Sequence, residues 1–146
     1  MIQQIDAKRA SELMADGHTY LDVRTVEEFK AGHADGAVNV PFVFRDASGQ
    51  WIPNPDFQRV VEANYSPDSK LVVGCMAGGR SQRACELLTQ AGYALLHNIQ
   101  GGFGGAKDPS GRLVQPGWSQ LGLPVSQSNA AGESYESLRD RAFKEA

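Results

Sequence analysis

Short apolar runs alternate along the chain with segments of helical period, and the clearest such pair meets at a cysteine. Leu71, Val72 and Val73 form an apolar run closing at Gly74, the pattern of a buried parallel strand. Beyond Arg80, the residues Ala84, Leu87, Leu88 and Ala91 recur at the i, i+3, i+4, i+7 spacing of a helix with one buried face. Cys75 is thereby placed where a strand ends and a helix begins. The same alternation extends in both directions. Ile2 and Ile5 predict a first strand, and Asp6 caps a helix over Ala7 to Asp16 with Ala10, Leu13 and Met14 inward, ended by Gly17. Tyr20, Leu21 and Val23 predict a second strand that delivers Asp22 and Arg24 near its end. Thr25 to Glu28 has the form of a capping box for a short helix stopping by Gly32.

Residues 33–41 carry glycine turn signals and then a brief apolar segment, expected as a third strand. Residues 42–54 show no clear period and are expected to form a surface connection, with Phe42, Phe44 and Trp51 burying some of it. Asn54 and Pro55 then open a helix with Phe57, Val60 and Val61 on its buried side. Ala94 to Ile99 predicts a further strand, and Gly101 to Gly105 a flexible turn or tight helix start. The ordered domain closes around Trp118, Leu121 and Leu123 to Val125. Ser126 to Gly132 is small and polar, as in a linker, and Glu133 to Ala146 is a candidate charged terminal helix. No internal repeat is read. The expected organisation is an α/β domain over residues 1–125, with a mainly parallel sheet and helices on both faces, then a polar linker and candidate helix over 126–146. In such sheets, sites form outside the carboxyl ends of strands.

Composition narrows the function classes. A chain of 146 residues that is 41% apolar and 21% charged is a single globular domain in size. A net charge of −3 offers no footprint for nucleic acid or an anionic membrane. No apolar run approaches the roughly 20 residues that span a bilayer. The polar start MIQQIDAKRASEL is a poor signal peptide, so a cytoplasmic location is expected. Two cysteines are too few for a disulfide scaffold, and three separated histidines give no metal-ligand spacing. The residues require no cofactor.

The chemistry concentrates on Cys75 and on Met76, Ala77, Gly78, Gly79 and Arg80 after it. Two glycines let backbone N–H groups turn inward around a small anion, and the helix N-terminus adds free N–H groups and partial positive charge. A thiol in that field favours its nucleophilic thiolate form. Arg80 has two readings: its planar fork binds an anionic substrate, or it pairs with Asp22 and braces the loop. Arg24 is expected to pair with Glu28 as a structural ion pair, and Asp22 to support the loop from behind. His33 reads as a turn histidine bonded to backbone rather than a proton carrier, and Ser81 as a helper in capping the helix. Met76 and Phe103 line a pocket mouth or fill core. Cys85 lies about 8 Å along the helix from Arg80, outside easy disulfide reach, and reads as core packing.

Taken together, LDVRTVEEFKAGHADGAVNVP at 21–41, CMAGGRS at 75–81 with the following RACELLTQAGY, and GLPV at 122–125 resemble the single-domain rhodaneses, a sulfurtransferase family. The resemblance covers roughly the first 125 residues. It implies a rhodanese-like α/β fold around a five-stranded sheet, with Cys75 forming a persulfide and Met76 to Arg80 cradling the substrate. The implied partners are a small sulfur donor, thiosulfate or a persulfide, and a thiol or cyanide-like acceptor, with a protein as a further candidate acceptor. The stretch from Phe103 to Gly117 is longer than the family's compact segment there, and the tail after Ser126 has no counterpart in it.

Two rivals stand beside this reading. A cysteine-dependent phosphatase or arsenate reductase also uses a cysteine, an amide-lined loop and an arginine. Its loop, however, places more residues between Cys and Arg than the four here, and Gly74 stands where a histidine often precedes the cysteine. The second rival is a persulfide carrier or binding module that acts with a protein, for which the long 103–117 segment and the tail are the support.

Overall fold

The computed structural model describes residues 2–144. β1 (Gln3–Ile5) leads into α1 (Ala7–Ala15), where Asp6 Oδ1 accepts the Arg9 N–H at 2.8 Å as the cap. β2 (Thr19–Asp22) precedes α2 (Val26–Ala31), which opens on the expected capping box: Glu28 N–H donates to Thr25 Oγ1 at 3.2 Å and Thr25 N–H to Glu28 Oε1 at 3.1 Å. The short strands β3 (His33–Ala34) and β4 (Val38–Asn39) follow, then β5 (Val43–Arg45) and β6 (Trp51–Pro53). α3 (Phe57–Asn64), β7 (Leu71–Gly74), α4 (Gly79–Gln90) and β8 (Leu96–Ile99) complete the central units. Last come β9 (Ala106–Lys107), β10 (Leu113–Gln115), β11 (Val125–Ser126) and α5 (Tyr135–Phe143).

Five strands form one parallel sheet in the order β1-β8-β7-β2-β4. β7 is central, with all four residues buried, which is why its sequence reads as a continuous apolar run rather than an alternating one. The two-residue period of the strands divides the core. Leu21, Leu71, Val73 and Leu96 face α3, α4 and α5, whereas Tyr20, Val72 and Ile99 face α1, Phe29 of α2 and Trp118. Each such buried aliphatic side chain contributes about 1.5–3 kcal/mol of transfer free energy. Register sets Asp22 opposite Gly74 and Val73 opposite Asn98, so the carboxyl ends of three neighbouring strands converge beside Cys75.

The expectations of a plain surface connection over 42–54 and of no internal repeat are corrected here. Residues 42–54 are not an unstructured connection: β5 pairs antiparallel with β6, Phe44 opposite Ile52. A second hairpin, β9 with β10, occupies the long 103–117 segment. Their sequences, Arg45-Asp-Ala-Ser-Gly-Gln-Trp-Ile and Lys107-Asp-Pro-Ser-Gly-Arg-Leu-Val, form a short internal repeat. Both strands of each hairpin are short and half exposed, so neither periodicity nor burial marks them; the turn chemistry holds them. The candidate terminal helix is present as α5, and it packs back onto the sheet domain. β11 pairs with β3, Glu133 O accepts the Asn39 N–H at 2.9 Å, and α5 packs on α3. Tyr135 and Leu138 of α5 join the core, Leu138 with no exposed surface. Few apolar positions on a charged helix suffice because α3 offers the complementary face. The last residues of the candidate terminal helix, 145 and 146, lie outside the described residues. No helix among them is long and apolar enough to cross a membrane.

Candidate active site

Cys75 follows the last residue of β7 and precedes α4 by three residues, in the strand-to-helix junction that the hydrophobic pattern predicts. The Gly78 N–H donates to Cys75 Sγ at 3.1 Å. That direction requires Gly78 at φ +127°, a conformation closed to residues with a Cβ, although a Cβ would meet only ordinary contacts. The next N–H groups, at the start of α4, have no intrahelical carbonyl to donate to, and they carry the positive end of the helix dipole toward the loop.

The loop keeps its shape because its carbonyls are occupied from behind. Phe103 N–H donates to Cys75 O at 2.8 Å, Gly104 N–H to Met76 O at 2.9 Å and Gly101 N–H to Ala77 O at 3.0 Å. Gly102 comes so close that a Cβ there would fall on the Cys75 carbonyl. The 101–105 turn is held in its own right by Trp118 N–H on Gly102 O at 2.9 Å and Ser119 N–H on Phe103 O at 3.0 Å. It is therefore a pinned turn and not a helix start. Gly74 is closed on the other side: a Cβ there would lie 2.5 Å from the Tyr20 hydroxyl. A side chain before Cys75 would have to displace the buried Tyr20 ring, so the histidine that often precedes a phosphatase cysteine has no room beside Tyr20 in this chain.

Ser81 is a correction. Gly78 is the N-cap residue of α4 and makes no side-chain cap bond; Ser81 instead is fully buried with its Oγ 3.4 Å from Cys75 Sγ, 3.1 Å from Gly78 O and 2.5 Å from Asn98 Oδ1. Asn98 donates its Nδ2–H to Gln4 Oε1 at 2.8 Å, which fixes its carbonyl oxygen toward Ser81. Asn98 escaped the sequence reading. The available signal was an amide beside His97 in a short strand bounded by Leu96 and Ile99.

The ion pairs are exchanged relative to expectation. Arg24 pairs with Asp22: its Nε and Nη2 donate to Asp22 Oδ1 and Oδ2 at 3.0 and 2.8 Å, and both residues are 1% exposed. Burial by itself would lower the Arg24 pKa, but the charge and hydrogen bonds of Asp22 outweigh it and hold the guanidinium above its ordinary value. With Asp22 taken, Arg80 turns to Glu28, donating through Nη1 and Nη2 at 2.7 and 3.1 Å, and lies 4.7 Å from the Trp51 ring centroid. Burial opposes the charged form of Glu28 as well; hydrogen bonds from Arg80 and from the Thr25 N–H, with the charge of Arg80, win and keep its pKa below the usual carboxylate value. Arg80 thus braces the loop through Glu28, not Asp22, while one edge borders an open cleft.

His33 donates Nδ1–H to Phe29 O at 2.7 Å and stacks on the Phe29 ring at 3.6 Å. It closes the end of α2 and makes no contact with the cysteine loop among its hydrogen bonds. Asn39, also unforeseen, donates to the carbonyls of Asp22 and Arg24, both at 3.0 Å.

Three clefts border the loop. One of 310 Å³ has Met76, Phe103, Arg24 and Glu28 in its walls, so Met76 and Phe103 line a mouth. One of 360 Å³ lies between Trp51 and Arg80 with Arg83, and one of 560 Å³ includes Ala77, Gly78 and Asn98. A fourth, of 450 Å³ between α2 and α5, touches no loop residue.

The second thiol is inert by environment. Cys85 has no exposed surface; burial first, then the charges of Glu86 and Cys75, push its pKa up to about 12. Iodoacetamide at about pH 8 is therefore expected to leave Cys85 unmodified in the folded chain and to label it after denaturation. Native-state alkylation at Cys85 in a peptide map would contradict the packing described.

A family model described as Rhodanese-like domain matches residues 6–108. The chain is similar to Thiosulfate sulfurtransferase 16, chloroplastic, of Arabidopsis thaliana, 42% identical over 116 residues, covering 80% of this chain and 86% of that protein. It is also 41% identical over 102 residues to Protein HIGH ARSENIC CONTENT 1, mitochondrial, of the same plant, covering 70% of this chain and 60% of the relative. These organellar names give no support to the cytoplasmic expectation. Among solved structures, Rv0390 from M. tuberculosis superimposes with a TM-score of 0.71 at 27% identity, over 86% of this chain and 98% of that one.

Proposed function

Because the chain belongs to the rhodanese-like domain family, we propose that it is a sulfurtransferase working through a Cys75 persulfide. The observation that supports this most directly is the convergence of the Gly78 N–H and the Ser81 hydroxyl on Cys75 Sγ, at 3.1 and 3.4 Å. In the first step the Cys75 thiolate attacks the outer sulfur of thiosulfate. The S–S bond of the donor breaks, its electron pair leaves with sulfite, and the enzyme holds Cys75–S–S⁻. In the second step an acceptor nucleophile, cyanide or a thiolate, attacks that terminal sulfur, and Cys75 departs as the thiolate. This is covalent catalysis, and no general acid is needed because sulfite and the Cys75 thiolate leave as stable anions.

Each loop feature has a part. Gly78 N–H and the amides at the start of α4 stabilise negative sulfur, and the Ser81 hydroxyl turns its proton from Asn98 to the sulfur when the sulfur is anionic. Arg80, held by Glu28 and Trp51, fixes the loop and adds positive potential at its edge. Intact mass spectrometry tests the reading: thiosulfate should add about 32 Da, one sulfur, and cyanide should remove it. No adduct with thiosulfate or with a small persulfide donor would overturn it.

A second reading, arsenate chemistry at the same cysteine, is favoured by one observation: the likeness to a relative whose name refers to arsenic. Arsenate-dependent oxidation of a thiol reductant, lost in Cys75→Ser and exceeding transfer from thiosulfate to cyanide, would establish it in place of the first.

A further inference from the structure

Behind Ser81 the hydrogen bonds continue to the surface in one unbroken row. Ser81 Oγ donates to Asn98 Oδ1 at 2.5 Å, Asn98 Nδ2–H to Gln4 Oε1 at 2.8 Å, Gln4 Nε2–H to Gln82 Oε1 at 2.6 Å, and Gln82 Nε2–H to Glu86 Oε2 at 3.2 Å. Register sets Gln4 of β1 opposite Asn98 of β8, and Ser81, Gln82 and Glu86 lie on the first two turns of α4. Ser81 and Asn98 are buried, whereas Gln82 is half-buried and Gln4 exposed. The row thus joins the sulfur to the open 560 Å³ cleft.

The direction of the row is fixed from its outer end. A carboxylate only accepts, so Glu86 takes an N–H of Gln82 and leaves Gln82 Oε1 for Gln4. The same choice passes through Gln4 to Asn98, whose carbonyl oxygen is left for Ser81. The Ser81 hydroxyl has one proton and three acceptors in reach: Asn98 Oδ1, Gly78 O at 3.1 Å and Cys75 Sγ at 3.4 Å. The nearest takes it. A lone pair of Oγ then faces the sulfur, which suits a thiol and opposes a thiolate. Turning the proton to an anionic sulfur would leave Oγ and Asn98 Oδ1 oxygen to oxygen, unless the amide turns over. When Asn98, Gln4 and Gln82 all turn over, each bond between Ser81 and Gln82 is remade with donor and acceptor exchanged. The contacts given up are weak: Gln82 to Glu86, and those of Ser81 and of Asn98 Nδ2, at 3.4 Å, to Gly78 O. Gly78 O keeps the Gln82 backbone N–H at 3.1 Å.

We propose that Asn98 is a positioning residue and that the carboxamide row is a reversible hydrogen-bond switch, which withholds the Ser81 proton from the resting thiol and, turned over, presents it to the Cys75 thiolate. This rests on the reading of Cys75 as the sulfurtransferase nucleophile. The row reverses when the thiol ionises, the thiol proton passing to solvent. It turns back when the persulfide forms, because the charge moves to the outer sulfur. It reverses again as the acceptor removes that sulfur and Cys75 departs as thiolate. The other ionisable groups around the sulfur hold one state over about pH 6–9. Burial keeps Tyr20 and Cys85 protonated, the bonds from Arg80 and Thr25 keep Glu28 ionised against burial, and Arg24 and Arg80 stay cationic. Asp22 is paired with Arg24, and His97 of β8 lies on the other face of the sheet, against His18.

The pH dependence of Cys75 alkylation by iodoacetamide in the full chain reads the thiolate and needs no sulfur donor. Asn98→Ala removes the competing acceptor, and the midpoint should fall by about one pH unit, the size of one hydrogen bond's contribution. A site merely loosened by the substitution would draw the Gly78 N–H off the sulfur and move the midpoint up. In a Ser81→Ala background, Asn98→Ala should move nothing, since Asn98 acts through the hydroxyl. At the exposed end, Gln4→Met should lower the midpoint by about 0.3–0.5 unit. Glu86→Gln should do the same in the native chain but not after Gln4→Met, whereas a direct effect of its charge would persist in both. An unchanged or raised midpoint in Asn98→Ala, an equal shift without the Ser81 hydroxyl, or a Glu86 effect indifferent to Gln4 would overturn the switch. Where Asn98→Ala fails to fold, the Gln4 and Glu86 variants decide. Intact mass after thiosulfate separates the two claims. Midpoints that shift as stated in a chain that gains no sulfur leave the switch standing and remove the persulfide reading; a chain that loads one sulfur without those shifts keeps the persulfide and loses the switch.

Discussion

Cys75→Ser is expected to abolish the thiosulfate adduct and to lower transfer to cyanide by at least about 10⁴-fold, the scale seen when a covalent nucleophile is removed. The fold should survive. The substitution shortens a side chain that is 2% exposed without changing its branching, and an oxygen at that position still meets the Gly78 N–H and the Ser81 hydroxyl. No buried donor is left unsatisfied, so the change in stability should stay within about 1 kcal/mol. Intact mass and urea denaturation on the same preparation check both halves. An adduct that persisted in the variant would move the sulfur to Cys85, which its buried, protonated state argues against. A variant that failed to fold would mean that Cys75 is a packing residue, and the site would lose its nucleophile.

The place of Cys75 was legible because local rules and tertiary structure agree there. An apolar run, a cysteine, glycines and a helical period place a thiol at the carboxyl end of a central strand before any contact is known, and Thr25 with Glu28 announces its helix in the same local way. What the sequence did not disclose depends on contacts made across long separations. Arg24, Asp22, Glu28 and Arg80 can pair in more than one way; Asp22 and Arg24, two residues apart, pair within one segment, whereas Glu28 and Arg80, 52 positions apart, meet only in the folded chain. Ser81 follows Arg80 like an ordinary helix-start serine, and its place under the sulfur comes from Asn98, seventeen residues away on β8. The hairpins were missed for a different reason. Their strands are three residues or fewer, include Pro53, and leave most side chains in solvent, so neither alternation nor burial marks them. The repeated Asp-x-Ser-Gly turn was the signal available.

Arg24→Met should be the most destabilising single change near the site, by about 3–5 kcal/mol, because it leaves a buried carboxylate without its cation. Asp22 is 1% exposed and gives Oδ1 and Oδ2 to the same guanidinium, whose Nη2 also donates to Gly32 O at 2.8 Å. Removing the guanidinium strips a charge partner from Asp22 and a donor from Gly32 at once. If the cost is that of a stranded charge, Asp22→Leu together with Arg24→Met should recover part of it, since replacing both members of a buried pair removes the unpaired charge, the remainder being the buried backbone N–H of residue 24 that Asp22 Oδ1 accepts at 3.0 Å. The urea midpoint should fall in the single variant with an unchanged slope and rise again in the double variant. A loss below about 1 kcal/mol in the single variant would mean that water reaches Asp22 and that the pair is not a closed unit. The consequence for chemistry runs through Phe103. Its ring lies 4.5 Å from the Arg24 guanidinium and its N–H holds the Cys75 carbonyl, so Arg24 supports the turn that backs the cysteine loop. At temperatures where the single variant remains folded, loading of Cys75 by thiosulfate should therefore slow, with the double variant recovering stability more fully than rate, because Met restores packing against Phe103 but not its cation.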